Sequence, residues 1–200
     1  SVTHYMVDQI SNAALTVSAA EVTATSAHTF NAGAVGSDTA VTFRVRAKDN
    51  DGEYSSGVTV SMTINSVIYT TATGGSITTV GDYKIHTFTS SSSFDVSQVG
   101  NLDATVEYLV IAGGGSGGGT SHSAMSGGGG AGGYRNSYSS ETSGGGGSSE
   151  TALTVSVNSY TVTVGAGGAT SSASTSVGNF GTNSIFSSIT STGGGGGGAT

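Results

Sequence analysis

Runs of consecutive glycine fill the second half of this 200-residue chain and restrict what it can fold into. Residues 113–200 hold 27 of the 35 glycines, in runs at 113–115, 117–119, 127–130, 144–147 and 193–198 and at scattered positions between them. A collagen triple helix needs glycine at every third position and abundant proline, and the chain contains no proline. Glycine also disfavours an α-helix by about 1 kcal/mol per residue. The tract is therefore either a flexible spacer or a packed scaffold.

Composition excludes several classes of partner. Only five residues are Lys or Arg, against twelve Asp or Glu, and the net charge is −7. We expect no nucleic-acid partner, because that affinity comes mainly from basic side chains on phosphates, and anionic membranes would repel the chain. There is no cysteine, which excludes disulfides and thiolate chemistry. No apolar run approaches the roughly 18 residues of a membrane helix, so we expect no membrane insertion.

Residues 1–66 alternate between apolar and polar positions, as β-strands do. Within 39–47, Val41, Phe43 and Val45 fall on one face and Arg44 and Arg46 on the other. The run 58–64 alternates in the same way, and the turn residues between the two runs predict a hairpin. Shorter strands are predicted at 3–7, 15–17, 21–25 and 28–30.

The stretch 43–55, with its Phe-Arg-Val-Arg-Ala-Lys-Asp-Asn-Asp-Gly-Glu-Tyr-Ser sequence, resembles the last hairpin of a fibronectin type III domain. Such domains have two sheets and about 100 residues. The resemblance therefore implies an incomplete sandwich over 1–66. We expect the other strands to lie in a longer parent protein or to come from a neighbouring chain.

Residues 67–200 alternate strand-like segments with glycine. Strands are predicted at 67–71, 83–89, 93–96 and 106–112. Runs 153–157 and 160–164 flank Asn158 and Ser159, which predicts a two-residue hairpin. A last apolar patch occupies 185–189. Together with the first region, the pattern predicts an all-β protein with two domains, 1–66 and 67–200.

The apolar segments interleaved with the glycines favour a packed tract over a spacer. Consecutive glycines adopt a polyproline-II-like helix with three residues per turn, whose N–H and C=O groups point outward. A bundle of such helices satisfies every backbone group by bonding between neighbours. The entropic cost of ordering glycine is high, so only a cooperative lattice can offset it.

The order of apolar strand and glycine run resembles the glycine-rich domain of bacteriophage tail fibres and tail-associated proteins. The resemblance rests on 108–115, 127–135, 160–168 and 193–198. It implies a polyglycine-II bundle, a place in the virion tail outside the cell, and attachment to a host-surface glycan or outer-membrane protein. Other tail proteins and further copies of the same chain are the implied partners. Members of that family usually continue past the last glycine run, so the resemblance implies that the bundle is truncated at 200.

No constellation of catalytic or metal-binding residues is visible. The acidic turn Asp49, Asn50, Asp51 and Glu53 only partly matches a calcium loop and lacks a Glu at its far end, which favours a solvated turn. The four histidines are scattered, and no serine lies in a nucleophile-elbow pattern. We therefore expect a non-enzymatic protein with no cofactor and no metal.

The loops between glycine runs are the candidate binding sites, since Tyr, Arg and Asn at loop tips are typical of binding surfaces. The alternative is that loops 120–126 and 134–142 are only crossovers of the bundle. The candidate receptor-binding residues are His122, Met125, Tyr134, Arg135, Asn136 and Tyr138. The candidate scaffold residues are Gly113, Gly114, Gly115, Gly127, Gly128, Gly129, Gly130, Gly193, Gly194 and Gly195.

Two other functions fit the sequence. One is a structural subunit of an extracellular filament or virion decoration, in which the incomplete sandwich accepts a strand from the next copy. The other is a bacterial surface adhesin module. A depolymerase would need clustered carboxylates in a groove, and the glycine-rich half has only Glu141 and Glu150.

Overall fold

The fold is all-β, as the sequence predicts. The computed structural model describes residues 2–11, 20–23, 35–119, 125–171 and 175–199. In these residues the regular structure consists of strands and one short 3₁₀ turn, η1 (Gly144–Gly146). Within the same residues, no helix has the length and apolar character needed to cross a membrane. The chain divides into two compact units, Ser1–Ile68 and Tyr69–Thr200.

The first unit contains one antiparallel sheet in the order β2-β1-β3-β4. Its strands are β1 (His4–Ser11), β2 (Ala20–Thr23), β3 (Thr39–Lys48) and β4 (Val58–Ile64). The predicted hairpin is confirmed, because β3 and β4 pair from Thr39↔Ile64 to Val45↔Val58. The predicted strands at 15–17 and 28–30 lie outside the described residues.

The alternation in β3 separates an apolar face from a charged face. Val41 and Phe43 are buried with Val7 of β1, and Ile64 packs against them. On the opposite face, the Asp8 carboxylate lies 3.0 Å from Arg44 and 2.9 Å from Arg46. The two arginines of β3 therefore share one carboxylate of the neighbouring strand β1.

The second unit contains eleven strands among its described residues. They are β5 (Thr71–Thr73), β6 (Ser76–Val80), β7 (Tyr83–Thr87), β8 (Ser92–Gln98), β9 (Thr105–Val106), β10 (Leu109–Ile111), β11 (Tyr134–Asn136), β12 (Leu153–Thr154), β13 (Asn158–Thr163), β14 (Ser184–Phe186) and β15 (Ile189–Ser191). The main sheet has the order β15-β14-β13-β8-β5. Three two-stranded ladders, β10-β11, β12-β9 and β6-β7, complete the pairing.

The predicted hairpin around Asn158 and Ser159 is wrong. These two residues belong to β13, which pairs with β8 on one side and with β14 on the other. The preceding strand β12 pairs with β9. Two neighbouring apolar runs thus join different ladders.

Phe186 links the two hydrophobic clusters of this unit. One cluster is centred on Phe94, Val96, Val155 and Val162. The other contains Tyr108, Val110 and Ile189, and Phe186 packs against both clusters. Its ring meets the rings of Phe94, Tyr108 and Tyr160 at centroid distances of 5.8, 6.4 and 6.5 Å. This junction of the two clusters is the centre of the core.

Five extended segments form a glycine bundle beside this core. We name them segments I (112–119), II (127–133), III (165–169), IV (176–183) and V (192–198). None of their glycines has a positive φ. The segments bond to one another through their backbones, so the tract is packed in the described residues and is not a spacer.

Backbone hydrogen bonds between the segments recur every third residue. The N–H groups of Ala112, Gly115 and Gly118 in segment I donate to the carbonyls of Gly133, Gly130 and Gly127 in segment II, at 2.8–3.0 Å. The next residues along segment I, Gly113, Ser116 and Gly119, donate instead to Thr182, Asn179 and Ser176 of segment IV, at 2.8–3.1 Å. A rotation of one third of a turn per residue is that of a polyproline-II-like helix. Segment I is therefore held by different neighbours on successive faces.

Segment V lies against segments I, II and IV and shows the same period in its burial. Gly194 and Gly197 are buried, whereas Gly195 and Gly198 are exposed. A methyl group on Gly197 would lie 2.0 Å from the carbonyl oxygen of Gly127. Only glycine permits so close an approach of two backbones, and Gly193, Gly194 and Gly196 meet a neighbouring carbonyl oxygen in the same way.

All five segments meet the β-strands at one end of the bundle. Segments I and V begin directly after β10 and β15, and segments II and IV end directly before β11 and β14. Segment III follows β13 after one residue. We call this end the base. The opposite end, the tip, is marked by the bonds Gly118–Gly127, Gly119–Ser176 and Gly127–Gly198.

Candidate binding surface

An ion pair fixes strand β11 at the base of the bundle. The Nε of Arg135 donates to Oε1 of Glu150 at 2.9 Å, and Nη2 donates to Oε2 at 2.5 Å. Nη1 of the same guanidinium donates to the Thr190 carbonyl of β15 at 3.2 Å. The two-point geometry is the strong form of an arginine–carboxylate pair. Arg135 thus joins β11, β15 and the segment that contains Glu150.

Two hydroxyl groups complete the shell of Glu150. Tyr108 donates to Oε2 at 2.8 Å and Ser143 donates to Oε1 at 2.8 Å. The Arg135 hydrogen bond, assisted by these hydroxyls, lowers the pKa of Glu150 from 4.5 to about 2 although partial burial opposes the shift. Burial, together with the bond to Glu150, raises the pKa of the Tyr108 phenol. The carboxylate is therefore ionised at neutral pH and serves as a structural acceptor.

Asn136 anchors the turn that follows β11. Its side chain is 1% exposed. Nδ2 donates to the Glu141 carboxylate at 3.0 Å, and Oδ1 accepts from the Tyr138 N–H at 2.9 Å. An asparagine that bonds to the backbone two residues later forms an Asx turn. The buried side chain of Asn136 therefore holds the conformation of the 137–142 loop.

The structure separates the six candidate receptor-binding residues. Met125 is 88% exposed and precedes segment II at the tip, and Tyr138 is 44% exposed with its ring edge-on to Tyr83 at 6.2 Å. Arg135 and Asn136 are held in the internal bonds described above, so the expected exposure of Asn136 is wrong. Tyr134 is half-buried in β11, and His122 lies outside the described residues. Their role in receptor binding stays a prediction.

The candidate scaffold glycines differ in how closely their neighbours approach. A methyl group on Gly113, Gly115, Gly129, Gly193 or Gly194 would lie 2.0–2.2 Å from a backbone oxygen. The same group on Gly127 or Gly130 would lie 3.0–3.1 Å from a backbone nitrogen. At Gly114 and Gly195 the nearest atoms are 3.5 and 3.9 Å away, and nothing lies within 4 Å at Gly128. The scaffold therefore depends on particular glycines and not on all of them.

A shallow groove lies at the base, where segment II runs into β11. Its volume is about 590 Å³, and it is lined by Ala131–Arg135, Gly144, Gly145 and Thr190–Thr192. Among the described residues, no cluster of three or more His, Asp or Glu side chains is placed to hold a metal ion. Ser191, at the groove, has a buried hydroxyl with no hydrogen-bond partner in the described residues.

Sequence analysis missed the residues that organise this region. Glu150, Ser143 and Ser191 stand in stretches of Gly, Ser and Thr that carry no periodic signal. The one available signal was charge: Arg135 is the only Lys or Arg after position 112, and Glu150 is one of two carboxylates there. Two such isolated opposite charges are natural partners.

The second unit is thus a glycine-rich β structure, with a side-chain core among its strands and backbone contacts in place of side-chain packing within the bundle. A family model described as a glycine-rich domain matches residues 87–200, more than half of the chain. The chain belongs to this glycine-rich domain family. No curated protein and no solved structure matches it.

Proposed function

We propose that this protein is a non-enzymatic bacteriophage tail-fibre or tail-tip component that attaches the particle to the host surface. One observation carries the proposal: all five glycine segments join the β-strands at the base, and segments I, II, IV and V bond to one another up to the tip. Such a bundle is a rigid support, because its backbone groups are tied to several neighbours. The described residues at the tip, such as Met125, are held away from the β core.

The proposed contact residues are those exposed outside the support. Met125 lies at the tip, and Tyr138 is exposed near the base. A flexible thioether and a tyrosine ring are both suited to contact with a host glycan or an outer-membrane protein. The proposed role of the first unit is that of a fibronectin III-like spacer, supported by its antiparallel β1, β3 and β4. Each contact is weak, and several copies in one tail add avidity.

Binding of the purified protein to candidate host cells tests this proposal. We expect saturable binding that weakens about fivefold or more in Met125→Ala or Tyr138→Ala. Leu102→Ala and Tyr69→Ala are matched controls, because Leu102 and Tyr69 are also exposed, at 78% and 74%. Replacing 120–126 by a Gly/Ser linker extends the test to the whole loop predicted from the sequence. Equal binding by the loop variants and the controls would rule out the assigned contact residues.

A structural subunit of a filament or virion decoration is the second candidate. It is favoured by β4, the last strand in the order of its sheet, whose Val58, Val60 and Met62 are exposed. The register places Val60 opposite Phe43 and Met62 opposite Val41, so these side chains extend the apolar face of the sheet. An exposed apolar edge strand is a template for strand addition. Assembly that persists on dilution, and is lost in Val60→Lys, would favour this candidate over attachment.

A further inference from the structure

Segments IV and V lie side by side and form one outer face of the glycine bundle. Their backbones bond to each other at two points, at 2.7 and 2.9 Å. Segment I bonds to both of them from one side, since it donates to segment IV and accepts from segment V. The other side of the pair is exposed to solvent. We call it the outer face, and its exposed residues are Val177, Phe180, Gly195 and Gly198.

Two apolar side chains form a ridge along the outer face. Val177 and Phe180 of segment IV are 61% and 72% exposed. They are three residues apart, which is one turn of a polyproline-II-like helix and a rise of about 9 Å. Their side chains therefore leave the segment in the same direction, and the glycines next to them cover neither of the two.

Two exposed glycines form a shelf beside the ridge. Gly195 and Gly198 of segment V are also one turn apart, so the shelf has the same repeat as the ridge. A methyl group on Gly195 would lie 3.9 Å from Cε1 of Phe180, so the phenylalanine ring adjoins the shelf. Nothing lies within 4 Å of a methyl group on Gly198. The shelf therefore has room for an apolar side chain that arrives from outside.

Charge and shape both point to a second copy of the chain as the partner of this face. None of the five glycine segments contains Lys, Arg, Asp or Glu, whereas the whole chain has a net charge of −7. Two acidic copies therefore meet with little repulsion at the bundle. A ridge beside a shelf of equal repeat is also self-complementary. Around a twofold axis, the ridge of each copy can lie on the shelf of the other.

We propose that the outer face is a self-association surface, on which Phe180 of one copy packs against the Gly195–Gly198 shelf of a second copy. Removal of the ridge from water drives the association, and the shelf lets an aromatic ring approach the backbone closely. A segment of seven residues is about 20 Å long, which makes a small interface. We therefore expect a weak dimer, with a dissociation constant between about 10 µM and 1 mM.

Sedimentation velocity of the full chain, from about 10 µM to about 1 mM, tests the surface. We expect a monomer–dimer equilibrium that Phe180→Ser weakens about tenfold or more, because the exposed ring is lost. Leu102→Ser is the matched control, since Leu102 is 78% exposed but lies outside the bundle. This control should stay within about twofold of the unchanged protein. A chain that stays monomeric up to about 1 mM would overturn the proposal.

A substitution on the shelf tests how the two copies fit together. Gly198→Gln adds a side chain where the structure has open space and a φ that is not positive, so we expect an unchanged unfolding midpoint. We expect this variant to weaken the dimer about tenfold, because its side chain occupies the shelf. Gly36→Gln is the control, at an exposed glycine of the first unit with equally open space. Unchanged association in Gly198→Gln would overturn the proposal.

Mixing the two weakened variants tests whether ridge meets shelf. A dimer of Phe180→Ser with Gly198→Gln keeps one unaltered contact, because the second variant supplies the ring and the first supplies the open shelf. We therefore expect the mixture to associate more strongly than either variant alone. A mixture no stronger than its components would contradict the ridge-on-shelf contact and overturn the proposal.

Two further comparisons separate this surface from the functions proposed above. Dimers lost in Val60→Lys but kept in Phe180→Ser would assign the contact to the β4 edge and overturn the proposal. Self-association does not require host attachment: dimers without cell binding would leave the surface standing and remove the attachment function. Cell binding by a chain that stays monomeric would have the opposite meaning.

Discussion

At the scale of single residues, the bundle depends on glycines that meet a neighbouring backbone. A methyl group on Gly115 would lie 2.0 Å from the carbonyl oxygen of Gly195 and 2.5 Å from its carbon. Backbone cannot move aside as the end of a side chain can. We expect Gly115→Ala to lower the free energy of unfolding by about 2–3 kcal/mol or more, measured by urea denaturation.

Gly128→Ala is the matched control in the adjacent segment. Nothing lies within 4 Å of a methyl group at this position, and the φ angle of Gly128 is not positive. Alanine restricts the unfolded chain more than glycine does, so we expect no loss and a gain of up to about 1 kcal/mol. Equal destabilisation by the two substitutions would show that the segments do not pack as described.

Glu150 makes the second residue-scale prediction, which concerns pH. Its pKa is lowered from 4.5 to about 2 in the folded protein, mainly by Arg135. A carboxylate with a depressed folded pKa contributes stability that is complete above the unfolded pKa. We therefore expect this contribution to disappear as the pH falls from about 4.5 to about 2. Because the pair is partly exposed, its size is about 1 kcal/mol.

Urea unfolding at several pH values, compared between the unchanged protein and Glu150→Gln, measures this contribution. The difference between the two proteins should be largest above pH 5 and shrink toward pH 2. Asp51→Asn, in an exposed turn of the first unit, controls for the loss of one carboxylate. A difference that does not change with pH would contradict the assigned role of the ion pair.

At the scale of elements, segment IV shows how the three-residue period selects side chains. Gly178 and Gly181 face segment I, where a methyl group would lie 2.1 and 2.0 Å from the carbonyl oxygens of Ser116 and Gly113. Val177 and Phe180, one residue earlier in each turn, are 61% and 72% exposed. Segment IV therefore has side chains at 177 and 180 and needs glycine at 178 and 181. A shift of the segment by one residue would place a side chain where only glycine fits, which would not happen in an uninterrupted glycine run.

One glycine inserted between Asn179 and Phe180 should disrupt this segment. The insertion shifts one half of the segment by a third of a turn. It brings either Asn179 to the position of Gly178 or Phe180 to the position of Gly181, where only glycine fits. We expect loss of amide-exchange protection at Gly113, Ser116 and Gly119, which donate to segment IV. One glycine inserted between Gly145 and Gly146 in η1, where both residues are exposed, is the control and should leave this protection unchanged.

The sequence predicts elements well where pairing is local and poorly where it is distant. Strand β4 was predicted residue for residue, because β3 and β4 are neighbours with clear alternation. Strand β11 was missed, because Tyr134, Arg135 and Asn136 were interpreted as an exposed loop. Its partner β10 lies on the far side of two glycine segments, and nothing in three polar or aromatic residues indicates that distant pairing.

The candidate site was predictable in part for the same reason. The glycine runs are visible in the sequence, and the three-residue period follows from the backbone geometry of a polyproline-II-like helix. The hydrogen bonds of the bundle show this period. Burial of Asn136 depends on Ser143 and Glu141, which close a turn behind it. Such internal bonds among Ser, Asn and Glu have no period, so the sequence alone suggested exposure.

At the scale of the whole molecule, the second unit reaches beyond the match to its family. The family model begins at 87, whereas the compact unit begins at Tyr69. The intervening residues contain β5, which pairs with β8, and the hairpin of β6 and β7. His86 closes this part onto the core, with its ring edge-on to Phe94 at 5.0 Å. Residues 69–86 therefore pack with the rest of the second unit, although they lie outside the match to the family model.

Two truncated proteins test this boundary. We expect 69–200 to unfold cooperatively, since it keeps both hydrophobic clusters and all five glycine segments. Removing residues 69–86 as well deletes β5 and the His86 ring, which uncovers Phe94 and Val96 at the edge of the main sheet. The 87–200 protein should therefore be less stable by about 2 kcal/mol or more in urea denaturation. Equal unfolding midpoints for the two truncations would show that the family boundary at 87 is also the physical one, and that β5 to β7 only decorate the unit.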